Sequence, residues 1–229
     1  MFDDLRISLD PPPRLPLPPG QNPFHFKGIS ISGLIDFIQE RAPDQFDAIV
    51  NLIQEPDIRA FMRQSFVAAG WYDALPILHL ASAGALYLGT TTAKLLVEHA
   101  AWQVLRDMKG ANKLLASKMI TPEALAARTT DITRRYNDFA KLEVVQCVPG
   151  MLVTAVSQLP DILVPWFKVV GKAALSAFMH YAGAENIKVT YSPSKPDGEN
   201  VGVQLVKFTC KRTWTRKDSR QHTPTDTSG

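Results

Sequence analysis

The chain has 229 residues, of which 45% are hydrophobic and 21% charged, and its formal net charge is +3. That composition suits a globular protein with one sizeable core, and so small a positive surplus does not by itself imply nucleic acid or an anionic membrane as partner. The acidic start MFDDLRISLD has no apolar h-region and no uncharged run long enough for a bilayer occurs, so we expect a cytoplasmic protein without a membrane span.

Residues 1–23 contain the run PPPRLPLPPGQNP. Proline fixes φ and removes backbone donors, so this stretch predicts an extended arm. It is either a solvated spacer or a polyproline peptide for an aromatic groove on a partner or second copy. The folded unit then runs over 24–214. In FHFKGISISGLIDFIQERA, Phe24, Phe26, Ile29 and Ile31 alternate, and Ser32 reads as the cap of a first helix carrying Leu34, Ile35, Phe37 and Ile38. Two short helical segments follow, DQFDAIVNLIQ and EPDIRAFMRQSF, the second with Pro56 early, where a missing N–H costs little. Gly70 reads as a stop signal and Asp73 as the N-cap of the next helix. The longest helical candidate is TTTAKLLVEHAAWQVLRDMKG, capped by Thr91 or Thr92 and closed by Gly110. TPEALAARTTDITRRYNDF predicts one more helix, with Thr121 as cap and Pro122 at its first position.

Near residue 140 the apolar spacing changes from three and four to two. AKLEVVQCVPGMLVTAVSQLP alternates around Pro149-Gly150, a type II turn signal, and predicts a hairpin. A helix follows over 166–181, with Phe167, Val170, Ala174, Ala177, Phe178 and Tyr181 on one face. Gly183 ends it. ENIKVTYS and VGVQLVKFTCKRTW then read as two strands joined by the turn-forming loop PSKPDGEN. The expected fold is therefore α+β: a helical half over 32–139 packed on a four-stranded antiparallel sheet of β-hairpin, helix and β-hairpin over 140–214. Residues 215–229 read as a disordered polar tail. Trp214 is the lone aromatic of the basic cluster Lys211, Arg212, Arg216, Lys217 and Arg220, too few for a nucleic-acid stacking surface.

Cys147 and Cys210 fall in separate strands, form no CxxC pair, and read as reduced thiols. GTTTAK lacks the phosphate-loop spacing, and Ser176 lacks the Gly-x-Ser-x-Gly elbow. Neighbouring carboxylates such as Asp44 and Asp47 fit solvated helix faces, so no catalytic residue, metal site or cofactor is expected. His79 and His99 lie on apolar helix faces and read either as core residues or as ligands. His180 sits at a helix C-terminus, where its charge meets the dipole. Trp71, Tyr72, Tyr87, Trp102 and Tyr136 are either core fillers or the aromatic wall of a pocket.

The phrases FHFKGISISGLIDFI, GWYDALPILHLA, KLLVEHAAWQVLRDM, RRYNDFAKLEVV and LSAFMHYAGAENIKVTY together resemble an uncharacterised Myxococcales-type paralogous bacterial family. That family is similar to the haem nitric-oxide/oxygen-binding (H-NOX) sensors and more distantly to 4-vinyl-reductase and TRAPP-like domains. The resemblance covers Phe26 to Trp214 and implies a ligand-binding fold whose helical half encloses a cavity against the sheet. The haem sensors hold iron by a histidine late in the helical half and bind the propionates through Tyr-x-Ser-x-Arg. Here the comparable stretch, 112–139, has no histidine; no Tyr-x-Ser-x-Arg occurs, and Tyr191-Ser192-Pro193-Ser194-Lys195 has the wrong spacing. The 4-vinyl-reductase cysteine site is likewise short of ligands. The expectation is a non-enzymatic sensory module for a small apolar molecule, without haem, with Trp71, Tyr72, His79, Tyr87, His99 and Trp102 near the pocket. The alternative is an interaction or scaffold protein that pairs as a homodimer through its helices and uses its arm or tail to dock a partner.

Overall fold

Around residue 140 the chain passes from helices to strands, as the apolar rhythm predicts. The computed structural model describes residues 7, 9–108 and 121–216, and among these are eight α-helices, one 3-10 turn and seven strands. The helical half comprises β1 (His25–Lys27), α1 (Gly28–Arg41), α2 (Phe46–Asn51), α3 (Pro56–Met62), β2 (Trp71–Asp73), α4 (Pro76–Tyr87), α5 (Thr92–Asp107), α6 (Pro122–Ala127) and α7 (Thr129–Arg134). The sheet half comprises β3 (Lys141–Val148), β4 (Met151–Pro160), α8 (Val164–Tyr181), β5 (Ala184–Tyr191), β6 (Lys195–Asn200) and β7 (Val203–Arg216), with the 3-10 turn Asp161–Leu163 leading into α8.

The first helix starts earlier than its sequence suggests. Strand β1 pairs antiparallel with β2, and α1 begins at the next residue, so Ile29 and Ile31 are helical and Ser32 lies one turn inside rather than at the cap. Gly28 decides this. A Cβ there would collide with the Val67 carbonyl, and its N–H donates to Gly70 O at 2.9 Å. The Ser32 hydroxyl donates back to Ile29 O instead of accepting from the first turn. Ile31, Leu34, Phe37 and Ile38, three and four apart, are the buried stripe of α1.

Thr91 and Thr121 do cap α5 and α6, their hydroxyls accepting from Lys94 N and Ala124 N at 3.2 Å each. The expected closing glycine, Gly110, lies outside the described residues. The helix expected after Thr121 breaks into α6 and α7. Arg128 sits between them at φ −95° and ψ 4°, its N–H donating three residues back to Leu125 O, and the two β-branched threonines that follow restart the helix rather than continue it. Asp73 ends β2 rather than capping α4 directly. One carboxylate oxygen accepts from Leu75 N at 3.0 Å; the other accepts from Gly20 N at 2.9 Å and Asn22 Nδ2 at 2.6 Å.

Those last bonds tie the proline-rich arm to the body. Leu9 and Leu15 pack against the helical core, the Ser82 and Thr92 hydroxyls donate to Asp10 at 2.8 and 2.6 Å, and the His79 ring meets Pro13 O at 3.1 Å. From residue 9 onward the arm lies along its own helical half.

The hairpin β3–β4 turns at Pro149-Gly150, with Gly150 at φ +77° as the type II turn requires. The sheet runs β3-β4-β7-β5, all antiparallel, and β6 adds a fifth strand where four were expected. The segment PSKPDGEN is therefore not a loop but mostly strand: β6 pairs with the first residues of β7. The turn follows β6 directly, at Val201-Gly202, both with positive φ, a two-residue hairpin connection. Asp197 pins β6 by accepting from Gln158 N at 2.9 Å and pairing with Lys207 at 3.0 Å. The last strand runs to Arg216, two residues beyond the expected domain end, and the tail residues 217–229 lie outside the described residues.

Helix α8 lies between the two halves. By length and composition alone Asp161–Tyr181 could cross a membrane, the one such helix among the described residues; here Val169, Ala173 and Met179 are buried inside the fold. Trp214, the aromatic of the basic cluster, is 5% exposed and its indole N–H donates to Glu123 at 3.3 Å, so it is not a surface stacking platform.

Candidate functional site

Between the helical half and α8 lies a cavity of about 170 Å³. Its α8 wall is the face that the sequence picks out: Phe167, Val170, Ala174 and Phe178, with Gly171 between them. Glycine and alanine keep the space open there, and a Cβ built on Gly171 would meet nothing within 4 Å. Helix α1 supplies Leu34, α5 supplies Leu96, Ala100 and Val104, and β3 supplies Leu142. These walls are almost wholly apolar, the general condition for a small-molecule pocket.

The polar groups in that wall are few and unusual. His99, Gln103 and Asp107 come from one side of α5, spaced four apart; Thr129 comes from α7, Tyr136 from just beyond it, and Arg212 from β7. Asp107 organises one end. It accepts from Gln103 Nε2 at 2.7 Å and from the Tyr136 hydroxyl at 3.1 Å. Burial first, and then the Asp107 charge, push the Tyr136 hydroxyl up to about 12, so it stays a donor. Because the amide nitrogen of Gln103 is committed to Asp107, its carbonyl oxygen is the free end, and it has no hydrogen-bond partner.

His99 is held neutral. Burial, and secondarily the Arg41 charge, lower its pKa to about 4. Its ring packs edge-on to Phe37 at 5.4 Å, and neither ring nitrogen has a partner. The Thr129 hydroxyl and the Arg212 Nε are equally unpartnered. Six buried side-chain polar atoms among the described residues lack a partner, and five of them belong to His99, Gln103, Thr129 and Arg212, all lining this one cavity. Buried polar groups are normally paired, so an unpaired cluster needs a physical reason.

Of the residues singled out from the sequence, the structure brings His99 and Tyr136 to the cavity and places the others elsewhere. Trp71 is exposed on β2 beneath the Lys27 ammonium, 4.0 Å from its ring centroid. The Tyr72 hydroxyl accepts from Val67 N at 2.8 Å, and the Tyr87 hydroxyl donates to Gln45 at 2.9 Å. Trp102 sits on another side of α5, its indole donating to Glu40 at 3.0 Å. His79 is buried under the arm, with Pro13 and Glu55 as neighbours. His180 is exposed in the last turn of α8, and Tyr191 lies on the sheet with its hydroxyl donating to Lys168 O at 3.0 Å. Cys147 and Cys210 are free thiols; Cys210 is buried, which raises its pKa. No group of three metal-ligating side chains occurs among the described residues.

Arg212, Gln103 and Thr129 are pocket residues that the sequence alone did not single out. Arg212 carried a signal: it alternates with Phe208, Cys210 and Trp214, so period two puts it on the inner face of β7. Gln103 lies four residues after His99, on the same helix face.

No family model and no curated protein matches this chain. Solved structures do, among them several H-NOX domains. The unliganded Fe(II) H-NOX protein from K. algicida is 12% identical over 85% of this chain and 100% of its own, with a TM-score of 0.58. An oxygen-binding H-NOX domain related to soluble guanylate cyclases, solved as its oxygen complex, is 8% identical over 83% of this chain and 95% of its own, with a TM-score of 0.57. A point mutant of the T. tengcongensis H-NOX is 8% identical over 84% and 99%, with a TM-score of 0.58. The chain thus has an α+β fold like that of the H-NOX domains.

Proposed function

We propose that this chain is a non-enzymatic, haem-free sensory or small-molecule-binding module that takes its ligand in the cavity between α5, α7 and α8. The observation that carries this reading is the clustering of unpartnered buried polar atoms on His99, Gln103, Thr129 and Arg212 around a largely apolar cavity. Leaving such groups unpaired is destabilising by roughly 1–3 kcal/mol each, and a ligand with matching groups removes that cost on binding. The H-NOX-like fold supports a ligand-binding role by analogy alone. The reading includes the narrower kinship with the Myxococcales-type family and a cytoplasmic location.

The haem-free part rests on fit. A cavity near 150 Å³ accommodates a single benzene ring, and about 170 Å³ among the described residues does not seat a tetrapyrrole. The lining histidine, His99, also lacks the carbonyl or carboxylate partner that orients a metal-ligating imidazole. The residues present do not fit a haem. The scaffold alternative draws less support, because Asp10, Pro13 and Leu15 of the arm are engaged by the same chain.

Native mass spectrometry and thermal-shift measurement across a panel of ring-sized apolar molecules test the proposal. We expect a co-purified or added small molecule to raise Tm, with no Soret absorbance after reconstitution with haemin. Gly171→Leu, which projects into the open space, should abolish the shift. A stoichiometric Soret-absorbing complex, or no shift with any molecule and none co-purified, would contradict it.

A further inference from the structure

The nature of the ligand can be read from Arg212, on the premise that the cavity is a ligand site. We infer that the cavity takes a small apolar carboxylate, its ring or short chain lying against α8 and its carboxylate on the Arg212 guanidinium.

Arg212 is 4% exposed and lines the cavity from the inner face of β7. A guanidinium offers five N–H donors and cannot discharge itself by losing a proton. Here the only hydrogen bond it makes among the described residues runs from Nη1 to Thr154 Oγ1, a long 3.4 Å, and Nε has no partner. No described carboxylate forms an ion pair with it. A buried cation without an anion is costly, and a carboxylate is the group whose geometry matches the guanidinium fork.

No acid among the described residues fills this role. Asp107, which shares the cavity, uses one oxygen for Gln103 and the other for Tyr136. The segment 109–120, KGANKLLASKMI, contains no Asp or Glu. The rest of the lining adds selectivity. Arg212 is the only Lys or Arg among the described residues that line the cavity, and His99 is neutral, so a second carboxylate on the ligand would find no charge to meet. The ligand is therefore a monocarboxylate, and about 170 Å³ limits its apolar part to one ring or a short chain.

Isothermal titration of the full chain with benzoate and hexanoate, against the neutral isosteres benzamide and hexanamide, decides the matter. Charge-assisted hydrogen bonds in a buried site predict that at least one acid binds about tenfold or more tighter than its amide. Arg212→Gln should weaken acid binding about tenfold or more and bring the acid-to-amide ratio close to one. Amides that bind as tightly as the acids overturn the inference and leave the pocket reading intact. Failure of all four probes overturns it as well; the pocket reading then stands if native mass spectrometry finds a neutral co-purified molecule, and falls with it if none is found. Should Arg212→Gln not fold, the acid-to-amide ratio of the unmodified chain is decisive by itself.

Discussion

Two regions of the helical half bury polar side chains and handle them in opposite ways. Under the arm, His79 meets Pro13 O and Glu55, Asp73 accepts three hydrogen bonds, and Thr92 donates to Asp10. Only the Asn22 carbonyl oxygen is left over there. In the cavity, His99, Gln103, Thr129 and Arg212 each keep at least one buried polar atom without a partner. A native chain uses buried polar groups for structure where it can pair them, and leaves them unpaired where something else is meant to arrive. The arm region is a finished contact; the cavity is an unfinished one.

Substitutions can pull the two regions further apart or collapse the contrast. The largest effect should come from the finished side. Asp73→Ala removes three acceptor bonds, two of them to the arm, and should cost about 3–5 kcal/mol. At roughly 2–4 °C per kcal/mol for a domain of this size, calorimetry should show Tm falling by about 10 °C. A loss under about 1 kcal/mol would mean that the arm is not held as described.

The next effect is a pH dependence from the unfinished side. His99 binds a proton less readily folded than unfolded, its pKa moving from the ordinary 6.5 to about 4. Above pH 6.5 it is neutral in both states and costs nothing. As pH falls from 6.5 toward 4 the unfolded chain takes the proton first, so stability is lost progressively, by about 3 kcal/mol in all. Denaturant titrations at pH 7 and pH 4.5 should show this loss, and His99→Leu should reduce it. His79, whose pKa is also lowered by burial, contributes with the same sign. A His99→Leu chain with an unchanged pH profile would place the imidazole in water.

The smallest effect is the most discriminating. Thr92→Val and Thr129→Val remove the same hydroxyl from two buried threonines. Thr92 loses its bond to Asp10 and should cost about 1 kcal/mol; Thr129 loses an unpaired group and should be neutral or slightly stabilising. Equal losses at the two sites would erase the distinction between the regions.

Much of this was legible in the sequence. The period change near residue 140, the caps Thr91 and Thr121, the Pro149-Gly150 turn and the α8 face that lines the cavity are all local patterns, and the structure follows them. The start of α1 was not legible, because the Val67 carbonyl that requires Gly28 comes from far along the chain. Nor was the difference between His79 and His99. Both sit on apolar faces, and what separates them is Pro13, 66 residues from His79, which the arm brings to one and not the other. Arg212 was hidden for another reason: its basic neighbours read as surface, and only strict alternation along β7 reveals that it points inward.

If the cavity between α5, α7 and α8 is where a small molecule goes, a ¹⁵N–¹H NMR titration of the full chain with benzoate and with toluene will show it residue by residue. Saturable shift changes should concentrate on α5 around His99–Asp107, on α7 and on α8 around Val170–Phe178, with the arm and β2 unmoved. No saturable change with either molecule, or changes confined to the arm and the exposed Trp71 and Tyr87, would contradict the placement of the ligand in this cavity.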